Sequence, residues 1–326
     1  MSRRVLVTGA AGFVGYHLCE RLLDLGAEVV GADVVSDYYS VRLKHARLDR
    51  LRAHSAFSFE HIDLADSAAT AELMRGRFDA VVHLAAQAGV RYSLTAPHTY
   101  IASNVTALLN VLEGLRGTRV PTLYASSSSV YGDDTPQPFH ESAAADAPVS
   151  LYAATKRAGE LMASSYAHLF GIPLTGLRFF TVYGPWGRPD MAYFKFSEAI
   201  VAGEPIDLYG DGLLARDFTE ISDIVEALVR LLDHAPTGPR PHRVLNVGAG
   251  QPVRVLEVVA ALERAFGLQA VTRSAPLQPG DVTATWADTT ALEALTGFRP
   301  SVTVQTGTTR FAEWFQRDWP ALRSQT

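Results

Sequence analysis

Residues 4–23 read Arg4-Val5-Leu6-Val7-Thr8-Gly9-Ala10-Ala11-Gly12-Phe13-Val14-Gly15-Tyr16-His17-Leu18-Cys19-Glu20-Arg21-Leu22-Leu23, and this stretch decides the fold. A short β-branched apolar run ends in a glycine loop, and apolar residues then recur at helical spacing. Strand, glycine loop and helix in immediate succession form the context that a dinucleotide fingerprint needs. Gly9 allows the tight turn, Gly12 the close approach of a pyrophosphate, and Gly15 the packing of helix on strand. The free N–H groups of the helix start, at Phe13 and Val14, carry partial positive charge for the phosphates.

Working outward, Gly26 ends the first helix, and Glu28-Val29-Val30-Gly31-Ala32-Asp33 reads as a second strand with an acid at its tip. Asp33 stands about 20 residues past the loop, where a ribose-binding acid is expected. A carboxylate there accepts from both ribose hydroxyls and repels a 2′-phosphate, which favours NAD over NADP. Arg42 to Arg52 is basic and helical in pattern and reads as a solvated face. Phe57 to Leu64 looks like a third strand ending in Asp63, an acceptor for the adenine amino group. Ala80 to Ala86 is a fully apolar fourth strand, as a central parallel strand should be, and Ala85 and Ala86 leave space for a flat cofactor. His83 reads as a packed core histidine. Thr99 to Glu113, with Asn104 inside, has helical spacing.

The chemistry lies between Ser126 and Lys156. Tyr152 and Lys156 are four residues apart, on one face of a helix. A tyrosine has a pKa of about 10, and a cation one turn away favours the phenolate. A serine from Ser126-Ser127-Ser128-Ser129 can share the proton, completing a Ser/Tyr/Lys set that removes a proton from an alcohol.

Strand and helix alternate to about residue 180, the signature of a doubly wound parallel sheet in an α/β, Rossmann-type fold. From Trp186 the pattern changes to turn-rich loops, helices and short strands. The expected division is an NAD-binding domain over 1–180, joined by parts of 213–250, and a smaller C-terminal α+β substrate domain over 181–326.

Composition bounds the rest. The 326 residues are 48% hydrophobic and 19% charged, as in a globular protein with a core. A net charge of -5 speaks against nucleic-acid binding. The single cysteine, Cys19, excludes an internal disulfide framework and a cysteine-rich metal site. No apolar stretch approaches the roughly 20 residues of a membrane span, so no membrane partner and a cytoplasmic location are expected.

With these residues placed, the sequence resembles the extended short-chain dehydrogenase/reductase family and, within it, the UDP-glucuronate 4-epimerases. The glycine loop and Tyr152-x-x-x-Lys156 mark the superfamily. Asp37-Tyr38-Tyr39, Gln87-Ala88-Gly89-Val90-Arg91-Tyr92-Ser93, Gly184-Pro185-Trp186-Gly187-Arg188-Pro189-Asp190-Met191, Arg216-Asp217-Phe218-Thr219 and Gln278-Pro279-Gly280-Asp281-Val282 are more specific. The resemblance implies tightly held NAD, a UDP-sugar substrate, no metal and a homodimer. It implies that Tyr152 takes the sugar 4-hydroxyl proton, that Ser127 steadies it, and that a 4-keto sugar turns and is reduced on its other face. Lys156 would hold the nicotinamide ribose. Leu64, Leu84 and Phe179 join the cofactor set by position in the pattern, as Val90 and Ser93 join the substrate set.

Decarboxylases of the family carry a Glu just before Val-Tyr-Gly, and dehydratases an Asp before it as well. Ser129 and Ser128 stand there in this chain, which favours epimerisation. Arg188 is the first candidate for a C6 carboxylate, since a guanidinium forks onto it in two parallel bonds; a loop arginine paired with Asp190 is the other reading. Arg91, Ser128, Ser129 and Thr181 are further candidates. Arg216 is expected at the pyrophosphate and Asp281 at the uridine ribose. Gln278 and Thr181 replace an arginine and an asparagine of some UDP-galactose 4-epimerases. Epimerisation of neutral UDP-hexoses, a lyase reaction such as decarboxylation, and a non-catalytic NAD-binding regulator stay open beside the main reading.

Overall fold

The structure is a computed structural model and describes residues 3–276 and 284–323. Gln278 and Asp281 therefore lie outside the described residues.

Strands β1 (Arg4–Thr8), β2 (Glu28–Asp33), β3 (Phe57–His61), β4 (Ala80–His83), β5 (Thr122–Ser127) and β6 (Leu174–Phe179) are laid down in turn. β7 (Thr181–Tyr183), β8 (Pro205–Tyr209) and β9 (Ala215–Glu220) go to smaller sheets before β10 (His242–Val247) returns to the large one. Its order is β3-β2-β1-β4-β5-β6-β10, parallel at every pairing. The order reverses between β1 and β4, where the crevice of a doubly wound sheet opens.

The helices are α1 (Phe13–Asp24), α2 (Val41–Arg52), α3 (Ser67–Met74), α4 (Pro97–Tyr100), α5 (Ala107–Gly114), α6 (Leu151–Phe170), α7 (Ala192–Ala202), α8 (Ile221–Leu231), α9 (Val255–Phe266), α10 (Thr290–Thr296) and α11 (Val304–Arg323). Successive strand residues face opposite sides. Val5 and Val7 accordingly join Leu18 and Leu22 of α1 and Ile224 and Leu228 of α8 in one core. Leu6 joins Leu108 and Val111 of α5 and Ala163 of α6 in another.

A third core, built on Phe194, Phe311, Trp314, Phe315 and Trp319, holds α7, α9 and α11 together. Beside it lie β11 (Pro252–Arg254) and β13 (Ala284–Thr285), paired to β9, and β12 (Val271–Ala275), paired to β8. α2 lies between these bodies: Leu51 belongs to the first core and Leu43 to the third. The expected solvated face over Arg42 to Arg52 is present at Arg42, His45, Asp49, Arg50 and Arg52, but Lys44 and Arg47 depart from it and are buried.

Two strands stop earlier than their apolar runs. The last partner of β4 is Thr8, opposite His83, and the chain turns at Gly9, so Leu84 to Ala86 form a loop. β3 likewise ends at His61, opposite Asp33, which puts Asp63 in the following turn. Thr99 to Glu113 is interrupted by a wide π-helical turn over Ile101–Thr106.

Candidate active site

The glycine loop is dictated by close approach. Gly9 has φ +75, and a Cβ there would lie 2.7 Å from the Ala85 nitrogen. A Cβ on Gly15 would lie 2.0 Å from the Gly9 carbonyl oxygen, so α1 can start this close to β1 only with glycine. Gly12 caps α1 without a side-chain hydrogen bond, and the first turn holds no acid. That leaves the helix start suited to a phosphate. Asp33 sits beside it, accepting from the Ala11 and Val35 N–H groups at 3.0 and 2.7 Å. These residues fit a dinucleotide.

Across the crevice, Ser150 caps α6 by accepting from the Ala153 N–H at 3.1 Å, which places Tyr152 in the first turn at the end of β5. The Ser127 hydroxyl donates to Ser129 Oγ at 3.2 Å and accepts from the Ser129 N–H. Lys156 is buried and donates to the Ala125 carbonyl at 3.0 Å; burial lowers its pKa to about 8. Half-buried Tyr152 is pushed above the usual tyrosine range by desolvation, and its contact with the Ser127 side chain and the Arg188 charge pull it back. The lowering expected from Lys156 is not displayed here: its ammonium donates to the Ala125 carbonyl, and the charge that lowers the phenol is that of Arg188.

Arg188 forks onto Asp190, Nε to Oδ1 at 3.0 Å and Nη2 to Oδ2 at 2.5 Å, and the Tyr38 hydroxyl donates to the same carboxylate at 3.3 Å. Arg91 lies over the Tyr209 ring at 5.8 Å, while Val90 is exposed. Ser93 is tied to the Val90 carbonyl at 2.6 Å. Asn104, in the wide turn, holds the loop after β4: it accepts from the Gln87 N–H and donates to the Gln87 carbonyl and to Thr155 Oγ1. Thr181 opens β7 next to Phe179 at the end of β6, and Arg216 Nη1 donates to the Ala215 carbonyl. Asp63 accepts from the Ala65 N–H at 2.9 Å, and Leu64 is buried. His83 pairs with Thr8 Oγ1 at 2.9 Å, neutral, with its pKa lowered by burial to about 3.

Sequence reasoning missed a buried group beneath the serines. Glu160, one face of α6 on from Tyr152 and Lys156, accepts from Ser126 Oγ at 2.6 Å and is forked by Arg178 at 2.8 Å through both oxygens. Its i, i+4, i+8 spacing was the available signal. A cavity of about 370 Å³ is lined by Phe218, Glu257, Arg264 and Val304. Among the described residues, no cluster of three or more His, Cys, Asp or Glu could hold a metal ion, and no helix is long and apolar enough to cross a membrane.

Comparison with known proteins gives the same picture. A 37.6 kDa protein of Escherichia coli O111:H- without assigned function is 50% identical, over 96% of this chain and 98% of its own length. A probable UDP-glucuronate 4-epimerase of Rhizobium meliloti (strain 1021) is 47% identical over 97% and 98%. The crystal structure of UDP-glucuronic acid 4-epimerase from Bacillus cereus, in complex with UDP-glucuronic acid and NAD, matches with a TM-score of 0.89 at 32% identity, covering 96% of this chain and 99% of that one. Residues 5–248 match the model of the NAD dependent epimerase/dehydratase family. On these grounds the chain belongs to that family.

Proposed function

We propose that this protein interconverts UDP-glucuronate and UDP-galacturonate by NAD-dependent 4-epimerisation. The observation that carries the reading is a guanidinium, Arg188, within electrostatic reach of the Tyr152 phenol, beside a strand end that offers Ser128 and Ser129 in place of carboxylates. A uronic acid with its 4-hydroxyl at Tyr152 then has a cation for its C6 carboxylate once that carboxylate shares or replaces the Asp190 fork that Arg188 makes in this structure. A neutral hexose has no use for one.

NAD, when bound, supplies reversible hydride acceptance at C4; the glycine loop and Asp33 would hold it, with Lys156 at the nicotinamide ribose. Tyr152 takes the 4-hydroxyl proton, and Ser127 shares it by hydrogen bond. The lifted phenol pKa suits the return step, in which Tyr152 gives the proton back to the turned sugar. A 4-keto uronic acid loses CO2 readily when its carboxylate stands perpendicular to the carbonyl plane. Arg188, with Arg91, Ser128, Ser129 and Thr181, holds that group in an unreactive orientation, while Arg216 meets the pyrophosphate and Val90 and Ser93 complete the substrate set.

Residues 1–180 with part of 213–250 form the cofactor half, and 181–326 mainly the UDP-sugar half. A homodimer through the outer faces of α5 and α6 is supported by exposed Leu109, Leu161 and Leu169; sedimentation velocity reads it, and a monomeric NAD-loaded chain would sink it. Cytoplasmic residence fits the free, buried Cys19, and cell fractionation checks it. The test of the carboxylate contact is Arg188→Ala. Losing a charge-assisted fork should weaken UDP-glucuronate binding by about tenfold or more and raise CO2 release. Full affinity with no added CO2 would remove Arg188 from this role.

A further inference from the structure

We infer that Arg47 is a positioning residue that couples the cofactor loop to the substrate loop, so that each ligand tightens the other. Arg47 comes from α2, a segment with no place in the chemistry above, and its side chain is fully buried. Nη1 donates to the Ala11 carbonyl and the Tyr39 hydroxyl, both at 2.8 Å. Nη2 donates to the carbonyls of Trp186 and Gly187 at 2.6 and 3.1 Å. One rigid, planar guanidinium thus spans the glycine loop and the residue immediately before Arg188.

Both ends of this strut lead to a ligand. Ala11 is gripped on its other side by Asp33, which accepts the Ala11 N–H at 3.0 Å, so the ribose acid and Arg47 fix the same residue. At the far end, the 184–187 loop is strained: Trp186 has φ +56, a left-handed conformation that a bulky side chain adopts only when its surroundings impose it. The surroundings that impose it come from both sides: Trp314 of α11 packs on the indole at 5.4 Å, and cofactor-side groups meet it from the other. His17 bonds the Pro185 carbonyl at 2.9 Å, and Tyr16 and Arg50 pack on the indole at 5.7 and 5.4 Å.

A dinucleotide that orders Ala11 through Asp33 therefore also orders the carbonyls that set the course of Arg188. The second ligand meets a loop whose ordering cost has been met by the first, and the effect is reciprocal. A residue that merely filled space would stabilise the fold without linking the two affinities.

The inference rests on the epimerase reading, and the experiment separates the two. The NAD-free full-length chain carrying Tyr152→Phe, which binds without turnover, is titrated with NAD by calorimetry, with and without saturating UDP-glucuronate. With Arg47 present, UDP-glucuronate should tighten NAD by about fivefold or more. With Arg47→Met added, the ratio should fall to about one in protein whose thermal melt remains cooperative, whereas Lys44→Met, a buried change on the same helix, should keep it. If Arg47→Met does not fold, Arg47→Lys serves, since an ammonium cannot span both loops and the ratio should again drop. A ratio preserved in folded Arg47→Met or Arg47→Lys overturns the inference, as does a ratio of one with Arg47 in place. Failure of the Arg47-bearing chain to bind either ligand overturns the epimerase reading, and the inference falls with it.

Discussion

Tyr152 and Lys156 share one face of α6, yet the burial that brings them together works against both charges. A buried ammonium whose pKa is lowered to about 8 loses its proton on folding at any pH between that value and the unfolded lysine's. In that window the unfolded chain binds more protons, so stability rises with pH. Between pH 8 and 9.5 the NAD-free wild-type chain should gain up to about 2 kcal/mol from this group. Urea titrations should find that rise missing in Lys156→Met. An equal rise in the variant would show that Lys156 is not buried as described. That Tyr152 and Lys156 share one helix face was legible because four-residue spacing on a helix fixes it. Arg47 was not: its partners Trp186 and Gly187 lie 139 and 140 residues away in sequence, and a basic helix carries no mark of what will cover it.

Among elements, α6 matters most, since one helix face presents Tyr152, Lys156 and Glu160 in succession toward β5. Glu160 and Arg178 are both buried, with Ser126, Arg157 and the Tyr131 ring completing their contacts. Removing one partner strands the other charge, so Glu160→Ala should cost about 3–5 kcal/mol. Adding Arg178→Met should recover part of it. A urea midpoint unmoved by Glu160→Ala would show that the pair does not anchor the serine strand. Element types were readable from apolar period. Their ends were less so. The stretches Leu84–Ala86 and Ile62–Leu64 read on past β4 and β3, but β1 turns away at Gly9 and β2 ends at Asp33, and the pairing stops there.

For the molecule as a whole, strand–helix alternation announced the parallel sheet up to β6. Parts of 213–250 were expected beside it, but that the returning strand is β10, paired to β6, needed the tertiary structure, because three strands of other sheets intervene. As a result β10 and α8 pack into the first core with β1 and α1, while β7 and β9 carry Thr181 and Arg216 into a smaller sheet. The crevice between the halves is where a nucleotide sugar must lie if Tyr152 and Arg188 act on one ring. Incubation of the purified chain with UDP-glucuronate and no added reductant, followed by chromatography and NMR of the nucleotide sugars, tests this most directly. The account predicts a mixture of UDP-glucuronate and UDP-galacturonate with no CO2; a UDP-pentose, or unchanged UDP-glucuronate from NAD-loaded protein, would contradict it.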